Sequence, residues 1–497
     1  MSAMTKLEDL QALRKAIELG GGAEAIKKQQ QAGKMTARER LANLFDEGSF
    51  IEVGAFVKQR PTELDGQGVD AAAEGVVTGY GAVDGRLTYA YAQDATVIGG
   101  ALGEMQAAKI VKIIGMAVKM GAPVVGILDS NGARLAEGVD ALEGYAKIAA
   151  ATAEASGVIP QIAMVAGLCA GGNALIAANS DFVVMTEKAE MFLTAPVVLK
   201  AALGQDSTGV GTAKANAENG NAHVVAADDA QAIAAVKQIL LYMPSNNLEI
   251  SPILENGDDI NRIATELNDM VTDDSCDMAG IIASVVDAGS FVELQKDFGT
   301  NVITGLARMN GDTVAIVANN GVLCAKCANK AARFIKVCDS FNIPVLTLTD
   351  LAGYAMSVEE EGAGSLRAVA NLMGTYASAT TAKVNVIVRK AVGSAYGVMT
   401  AGSDVTYAWP TAEIGVMDAP AAVTILCDEE IKNGADKAEL IEKYKNVVAA
   451  PYEAAKRGYI DDVIEPDSTR PRVIAALLML QSKRVNGPAK KHSNMPL

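Results

Sequence analysis

Two short runs of small residues are where this chain could do chemistry through its backbone. Gly171-Gly172 follows an apolar, strand-like run and opens a helix-like one, and Gly393-Ser394-Ala395 does the same later in the chain. Small residues at such a junction let a ligand approach the peptide N–H groups, which a helix dipole makes attractive to an anion. The loops after the preceding strands, Gly132-Ala133 and Gly353, offer a candidate second donor for each turn. Two N–H groups aimed at one developing oxyanion make an oxyanion hole, worth about 3 kcal/mol per donor. One such turn alone reads more simply as close helix–strand packing. Two in matched register read as sites.

Side-chain chemistry has less to offer. The two histidines, His223 and His492, lie beside no activatable nucleophile, so a Ser–His type triad is poorly supported. The six cysteines form no secreted disulfide framework, and no metal-ligand spacing is present. Cys324-Ala-Lys-Cys327 has the spacing of a redox pair, but small packing residues are the simpler expectation. Lys119 sits in Ala-Val-Lys-Met, which superficially matches a biotin attachment sequence. It closes a helix just before a buried strand, whereas an attachment lysine needs an exposed hairpin tip, so biotinylation here is not expected.

The two turns belong to two copies of one unit. Thr78-Gly79, Gly85, Pro123, Asp129, Gly171, Asp181 and Pro196 recur as Thr304-Gly305, Gly311, Pro344, Asp350, Gly393, Asp404 and Pro420, always 221 to 226 residues later. Each copy runs from a strand pair to a helix, then to an apolar strand without alternation (PVVGILD; PVLTLTD), a glycine loop, a helix and a second apolar strand. Unalternating strands between helices predict a parallel sheet covered on both faces, an α/β fold with right-handed crossovers. Residues 1–45 read as helical. The polar, acidic stretch between the copies sets the expected division: residues 1–250, a linker at 251–276, and residues 277–497.

Composition narrows the function classes. A net charge of −16 argues against a nucleic-acid surface. No apolar run reaches the 18 or so residues needed to cross a bilayer, and the charged, amphipathic start is not a signal peptide. A cytoplasmic protein is expected.

The residues also carry a resemblance. GKMTARERLANLFDEGSF, GGALGEMQAAKIVK, GAPVVGILDSNGAR, EGVDALEGY, SGVIPQI and CAGGNALIAANSDFV resemble the amino-terminal half of biotin-dependent acyl-CoA carboxyltransferases. KAARFIKVCDSFNIPV, YAWPTAEIGVM, AAKRGYIDDVIEP and the ending KKHSNMPL resemble the second half. That family includes the β subunit of propionyl-CoA carboxylase and the carboxyltransferase subunit of methylmalonyl-CoA decarboxylase. The resemblance implies two tandem crotonase-like domains, acyl-CoA on the first and carboxybiotin on the second. It implies a hexamer, homo- or heteromeric, whose active sites combine the first domain of one protomer with the second domain of another. It also implies partners: a biotin carrier protein, and a biotin carboxylase or a membrane decarboxylase subunit. Two oxyanions arise in that chemistry, a thioester enolate and a biotin ureido oxygen, and two holes would serve them. The candidate catalytic residues are then Gly171, Gly172, Gly393, Ser394 and Ala395, with Gly132, Ala133 and Gly353 binding substrate.

Departures from the family pattern cluster in the second half. A usual Gly-Gly-Ala is Gly393-Ser394-Ala395, a usual Pro-Gly-Phe-x-Pro-Gly is Ala352 to Ser357, and a usual His-Gly-Ala-Lys is Ala368 to Asn371. In the first half Ser130-Asn131-Gly132 replaces Ser-Gly-Gly, and Thr194-Ala195-Pro196 replaces Thr-Gly-Pro. Two alternatives therefore stand beside a short-chain acyl-CoA carboxyltransferase. One is a catalytically weak structural paralogue in a mixed complex; the other is a crotonase-type enzyme that needs no biotin.

Overall fold

The computed structural model describes residues 3–64, 72–254, 257–271, 275–490 and 494. His492 lies outside them. The chain divides into two compact units, Met1–Ile250 and Ser251–Leu497.

Unit 1 opens with three helices, Ala3–Glu18, Ala23–Gln31 and Ala37–Leu44. The last starts at a capping box, in which Thr36 accepts from the Glu39 N–H and Glu39 accepts from the Thr36 N–H. An eight-stranded sheet follows: β1 (Ile51–Glu52), β2 (Val76–Val83), β3 (Arg86–Gln93), β4 (Val124–Ser130), β5 (Gln161–Ala170), β6 (Phe182–Thr186), β7 (Glu190–Phe192) and β8 (Val224–Ala226). Its order is β1-β2-β3-β4-β5-β6-β8, with β7 beside the far end of β5. β1, β2 and β3 pair antiparallel and the rest parallel.

Unit 2 repeats this order in β9 (Val292–Leu294), β10 (Val302–Met309), β11 (Asp312–Asn319), β12 (Gly321–Leu323), β13 (Val345–Tyr354), β14 (Lys383–Val392), β15 (Val405–Ala408), β16 (Glu413–Gly415) and β17 (Asp462–Val463). Its path is β9-β10-β11-β13-β14-β15-β17, with β16 beside β14 as β7 is beside β5. β12 pairs with β13, and a single parallel bridge, Leu102–Ala133, holds the matching place in unit 1.

The repeated sequence marks have repeated causes. Asp84-Gly85 and Asn310-Gly311 turn the β2–β3 and β10–β11 hairpins with φ of 48°, 74°, 55° and 80°, the left-handed pair a two-residue loop requires. Gly79 and Gly305 let an edge strand cross closely: an added Cβ would lie 2.3 Å from the Ile51 carbonyl and 2.4 Å from the Val292 carbonyl. Asp181 and Asp404 each accept a backbone N–H at 2.8 Å, from Gln161 and Lys383, fixing where β5 and β14 begin.

Each sheet has its own apolar core. In unit 1 Ile110, Ile113, Ile114 and Ala117 of helix Glu104–Met120 pack with Val124, Leu128 and Val165. In unit 2 Leu346, Leu348, Val384 and Val386 pack with Trp409 and Val473. Ala264 and Leu267 join that second core, although the acidic stretch around them reads as a linker in the sequence.

Candidate functional site

In unit 1 the candidate residues gather at the carboxyl end of β4 and β5, where parallel sheets open to ligands. Ser130 and Cys169 pair across these strands; Ala133 and Gly172 each lie three residues further on. Gly171 has φ 59° and ψ −118°, a conformation open to glycine alone, and it swings the chain from β5 into helix Gly172–Asn179.

Not every predicted donor is free. The Gly171 N–H donates to the Phe192 carbonyl at 2.9 Å, and the Gly132 N–H donates to Ser130 Oγ at 3.2 Å. Ala133 differs. Gly132's carbonyl accepts from the Leu102 N–H at 2.8 Å and Arg134's N–H donates to the Leu102 carbonyl at 2.9 Å, so Ala133's own N–H turns away from that bridge. Gly172 is the first residue of its helix, and its N–H has no carbonyl four residues back to meet. Of the four predicted backbone positions, Ala133 and Gly172 therefore have N–H groups without an acceptor among the described residues. Gly132 and Gly171 shape the loops that carry them.

Side chains far apart in sequence hold these loops. Arg134, 5% exposed, donates from Nε to the Ala101 carbonyl at 2.9 Å and pairs through Nη1 with Glu137 at 3.0 Å and with Glu74. Glu74 is fully buried, and burial raises its carboxyl above the ordinary range against the pull of Arg134. Asp129, at the end of β4, accepts from Lys34 at 2.7 Å and Arg40 at 3.0 Å, and Arg40 also reaches Asp229 at 2.8 Å. The ring of Tyr145 lies across Gly172, where an added Cβ would meet it at 2.5 Å. Its hydroxyl is buried without a partner among the described residues. Sequence reasoning assigns no role to Tyr145, Arg134 or Glu74: Arg134 adjoins Gly132-Ala133, but its buried partner Glu74 lies 60 residues away, and Tyr145 carries no spacing tied to Gly172.

Unit 2 repeats the backbone with different side chains. Leu351 pairs with Ala391, and Tyr354 and Ser394 lie three residues beyond. Gly393 (φ 71°) opens helix Gly393–Met399, whose early N–H groups at Ser394 and Ala395 have no carbonyl of their own helix to meet. Gly353 has φ 116°, and no atom lies within 4 Å of an added Cβ. Ser394 is exposed, and its Oγ lies 3.1 Å from Tyr354 Oη. Asp350, the counterpart of Asp129, is bound by Arg389 at 2.8 and 3.1 Å. Burial and the neighbouring Asp350 push the Cys276 thiol up to about 12.

Two side-chain readings take structural roles. His223 Nδ1 accepts the Val183 N–H at 3.1 Å, so the imidazole fastens β6. Cys324 and Cys327, expected as separate packing thiols, are joined in a disulfide across the first turn of helix Ala325–Ser340, their Cα atoms 5.0 Å apart. That expectation is corrected: the helix start brings residues three apart within bridging range.

Exposed apolar side chains surround both turns. Leu135, Leu175 and Leu193 flank the first; Met356, Val358 and Val416 flank the second. Among the described residues no helix is long and apolar enough to cross a membrane.

Two matched α/β sheets, each ending in a strand–glycine–helix turn, define a duplicated α/β fold. Residues 28–495 match the carboxyl transferase domain family, and the chain belongs to it. It is 46% identical over 507 residues to the methylmalonyl-CoA decarboxylase subunit alpha of Veillonella parvula, spanning 99% of both chains. It is 43% identical to the methylmalonyl-CoA carboxyltransferase 12S subunit of Propionibacterium freudenreichii subsp. shermanii, across 99% of this chain and 97% of that one. The solved hexameric transcarboxylase 12S structure with methylmalonyl-coenzyme A and methylmalonic acid bound superposes with a TM-score of 0.97 at 42% identity, over 100% of this chain and 99% of that one.

Proposed function

We propose that this chain is the carboxyltransferase subunit that moves a carboxyl group between biotin, carried on a partner protein, and a short-chain acyl-CoA of the propionyl/methylmalonyl class. The observation that carries this reading is the pair of matched turns, each with peptide N–H groups left without acceptors at the open end of a parallel sheet. Biotin, when bound, supplies the carboxyl group and, once freed of it, a nitrogen base for the thioester α-proton.

The chain's own part is to hold charge. In the acyl-CoA half, the N–H groups of Ala133 and Gly172 donate to the thioester oxygen as it gains negative charge, each worth about 3 kcal/mol in such a role. Gly132 and Gly171 keep that approach clear. In the biotin half, Ser394 and Ala395 present N–H groups to the ureido oxygen, and Gly353 lines the opposite wall. No described atom lies within 4 Å of a Cβ added at Gly353, so its backbone is open to approach. The exposed apolar side chains around each turn support burial against another copy, and the hexameric transcarboxylase 12S structure supports six copies. A biotin carrier and a biotin carboxylase or membrane decarboxylase subunit complete the machinery, in the cytoplasm.

The test is turnover by the purified chain with methylmalonyl-CoA and free biotin, followed as propionyl-CoA release. Biotin-dependent release is expected, and its absence under all acyl-CoA thioesters tried would overturn the reading. A second reading is a catalytically weak paralogue in a mixed complex. The hydroxyl side chains at the second turn favour it, and it expects no turnover except beside an active relative.

A further inference from the structure

The two turns share a backbone but not an equipment of side chains. The register matches Tyr354 to Ala133 and Ser394 to Gly172, each three residues beyond a paired position on adjacent parallel strands. Both unit 2 residues carry a hydroxyl, both are exposed, and the two oxygens lie 3.1 Å apart. A tyrosine and a serine together hold two hydroxyl protons, and the hydrogen bond between them uses one. The other proton is left for a ligand at this exposed pair. The same bond turns Ser394 Oγ toward Tyr354 and fixes both rotors, which a lone exposed hydroxyl lacks.

We propose that Tyr354 and Ser394 act as one hydroxyl pair that positions the second-site ligand, giving one O–H to its carbonyl-type oxygen in addition to the backbone donors. The pair makes the two half-sites chemically unequal. The first offers peptide N–H groups beneath the Tyr145 ring, while the second adds an exposed O–H, held in place by the pair, for a planar urea or carboxylate oxygen. A hydrogen bond to an oxygen gaining negative charge strengthens as the charge develops, so the pair favours ligands whose oxygen becomes anionic. This inference rests on the proposed reading that the second turn takes biotin.

The experiment measures KM for free biotin and for methylmalonyl-CoA separately, with thermal melting, for the full chain and the Tyr354→Phe, Ser394→Ala and double variants. Either single change breaks the pair, so each is expected to raise KM for biotin about three- to tenfold. The double variant is expected to fall short of the product of the singles, because their effects pass through one interaction. KM for methylmalonyl-CoA and the melting temperature are expected to stay put. An active wild type whose biotin KM is unmoved in both single variants overturns the pair alone. So does a parallel rise in KM for methylmalonyl-CoA, which would mark general loosening. A wild type without biotin-dependent turnover overturns the functional reading, and this inference with it.

Discussion

Gly172 is the residue on which most converges. Its N–H lacks an acceptor, its Cα lies under the ring of Tyr145, and an added Cβ would stand 2.5 Å from that ring. Gly172→Val therefore both fills the approach to the N–H and displaces Tyr145. Removing one oxyanion donor of this kind commonly lowers kcat by about 100-fold or more. The expected outcome is a loss of at least that size in kcat/KM with far-ultraviolet circular dichroism unchanged. Near-normal turnover on every acyl-CoA tried would place the donors elsewhere. Arg134 gives the contrasting case, a residue that acts on stability. It is the partner of the fully buried Glu74. Arg134→Met leaves that carboxylate without its cation, and breaking a buried pair this way costs about 3–5 kcal/mol. Urea unfolding is expected to report a loss in that range, with Glu74→Gln recovering part of it in the double variant. The turn glycines were legible because their requirement is a backbone one, visible as residue type. Which N–H groups remain available was not. It depends on the Leu102–Ala133 bridge and the Phe192 carbonyl, partners 31 and 21 residues away.

The duplication extends to elements that the glycine marks do not reveal. Lys109 on helix Glu104–Met120 and Lys330 on helix Ala325–Ser340 are counterparts, and burial lowers each to about 8. Lys109 Nζ donates to the carbonyls of Ala73 and Val76, tying its helix to the segment that leads into β2. The folded value lies below the unfolded one for both lysines. Between about pH 8 and the ordinary lysine range the unfolded chain therefore holds the extra protons, and stability rises with pH across that window. The slope approaches about 1.4 kcal/mol per pH unit for each lysine. Unfolding midpoints of wild type and a Lys109→Met/Lys330→Met variant, compared at pH 7.5 and 9.5, should show the wild type gaining on the variant as pH rises. A constant difference would mean that neither lysine titrates in this range. The succession of strands and helices along each copy was readable because unalternating apolar runs and the glycines between them are local signals. The packing of Ala264 and Leu267 into the second core was not, since two apolar residues in an acidic stretch carry no periodicity.

At the scale of the whole molecule, the proposed function makes a demand about assembly that activity alone does not test. The family resemblance implies that the acyl-CoA half and the biotin half of each working site come from different copies. The exposed Leu135, Leu175 and Leu193 around one turn, and Met356, Val358 and Val416 around the other, agree with both faces being covered in an oligomer. Two inactive variants then become informative together. Gly172→Val damages only the first half, and Gly393→Val only the second, because a Cβ at φ 71° strains that turn. Mixed at equal expression, half of the pairings join unlike copies, and each of those contains one site with two intact halves. Random assembly of a symmetric oligomer thus restores about a quarter of wild-type turnover from two inactive parents. A site built within one copy would restore none, since every chain would carry a damaged half. Co-expression with distinct affinity tags, sequential purification of the mixed oligomer and a propionyl-CoA release assay would separate these outcomes. Light scattering on the same sample is expected to give the mass of a hexamer, and a monodisperse monomer at micromolar concentration would defeat the assembly and the shared site together.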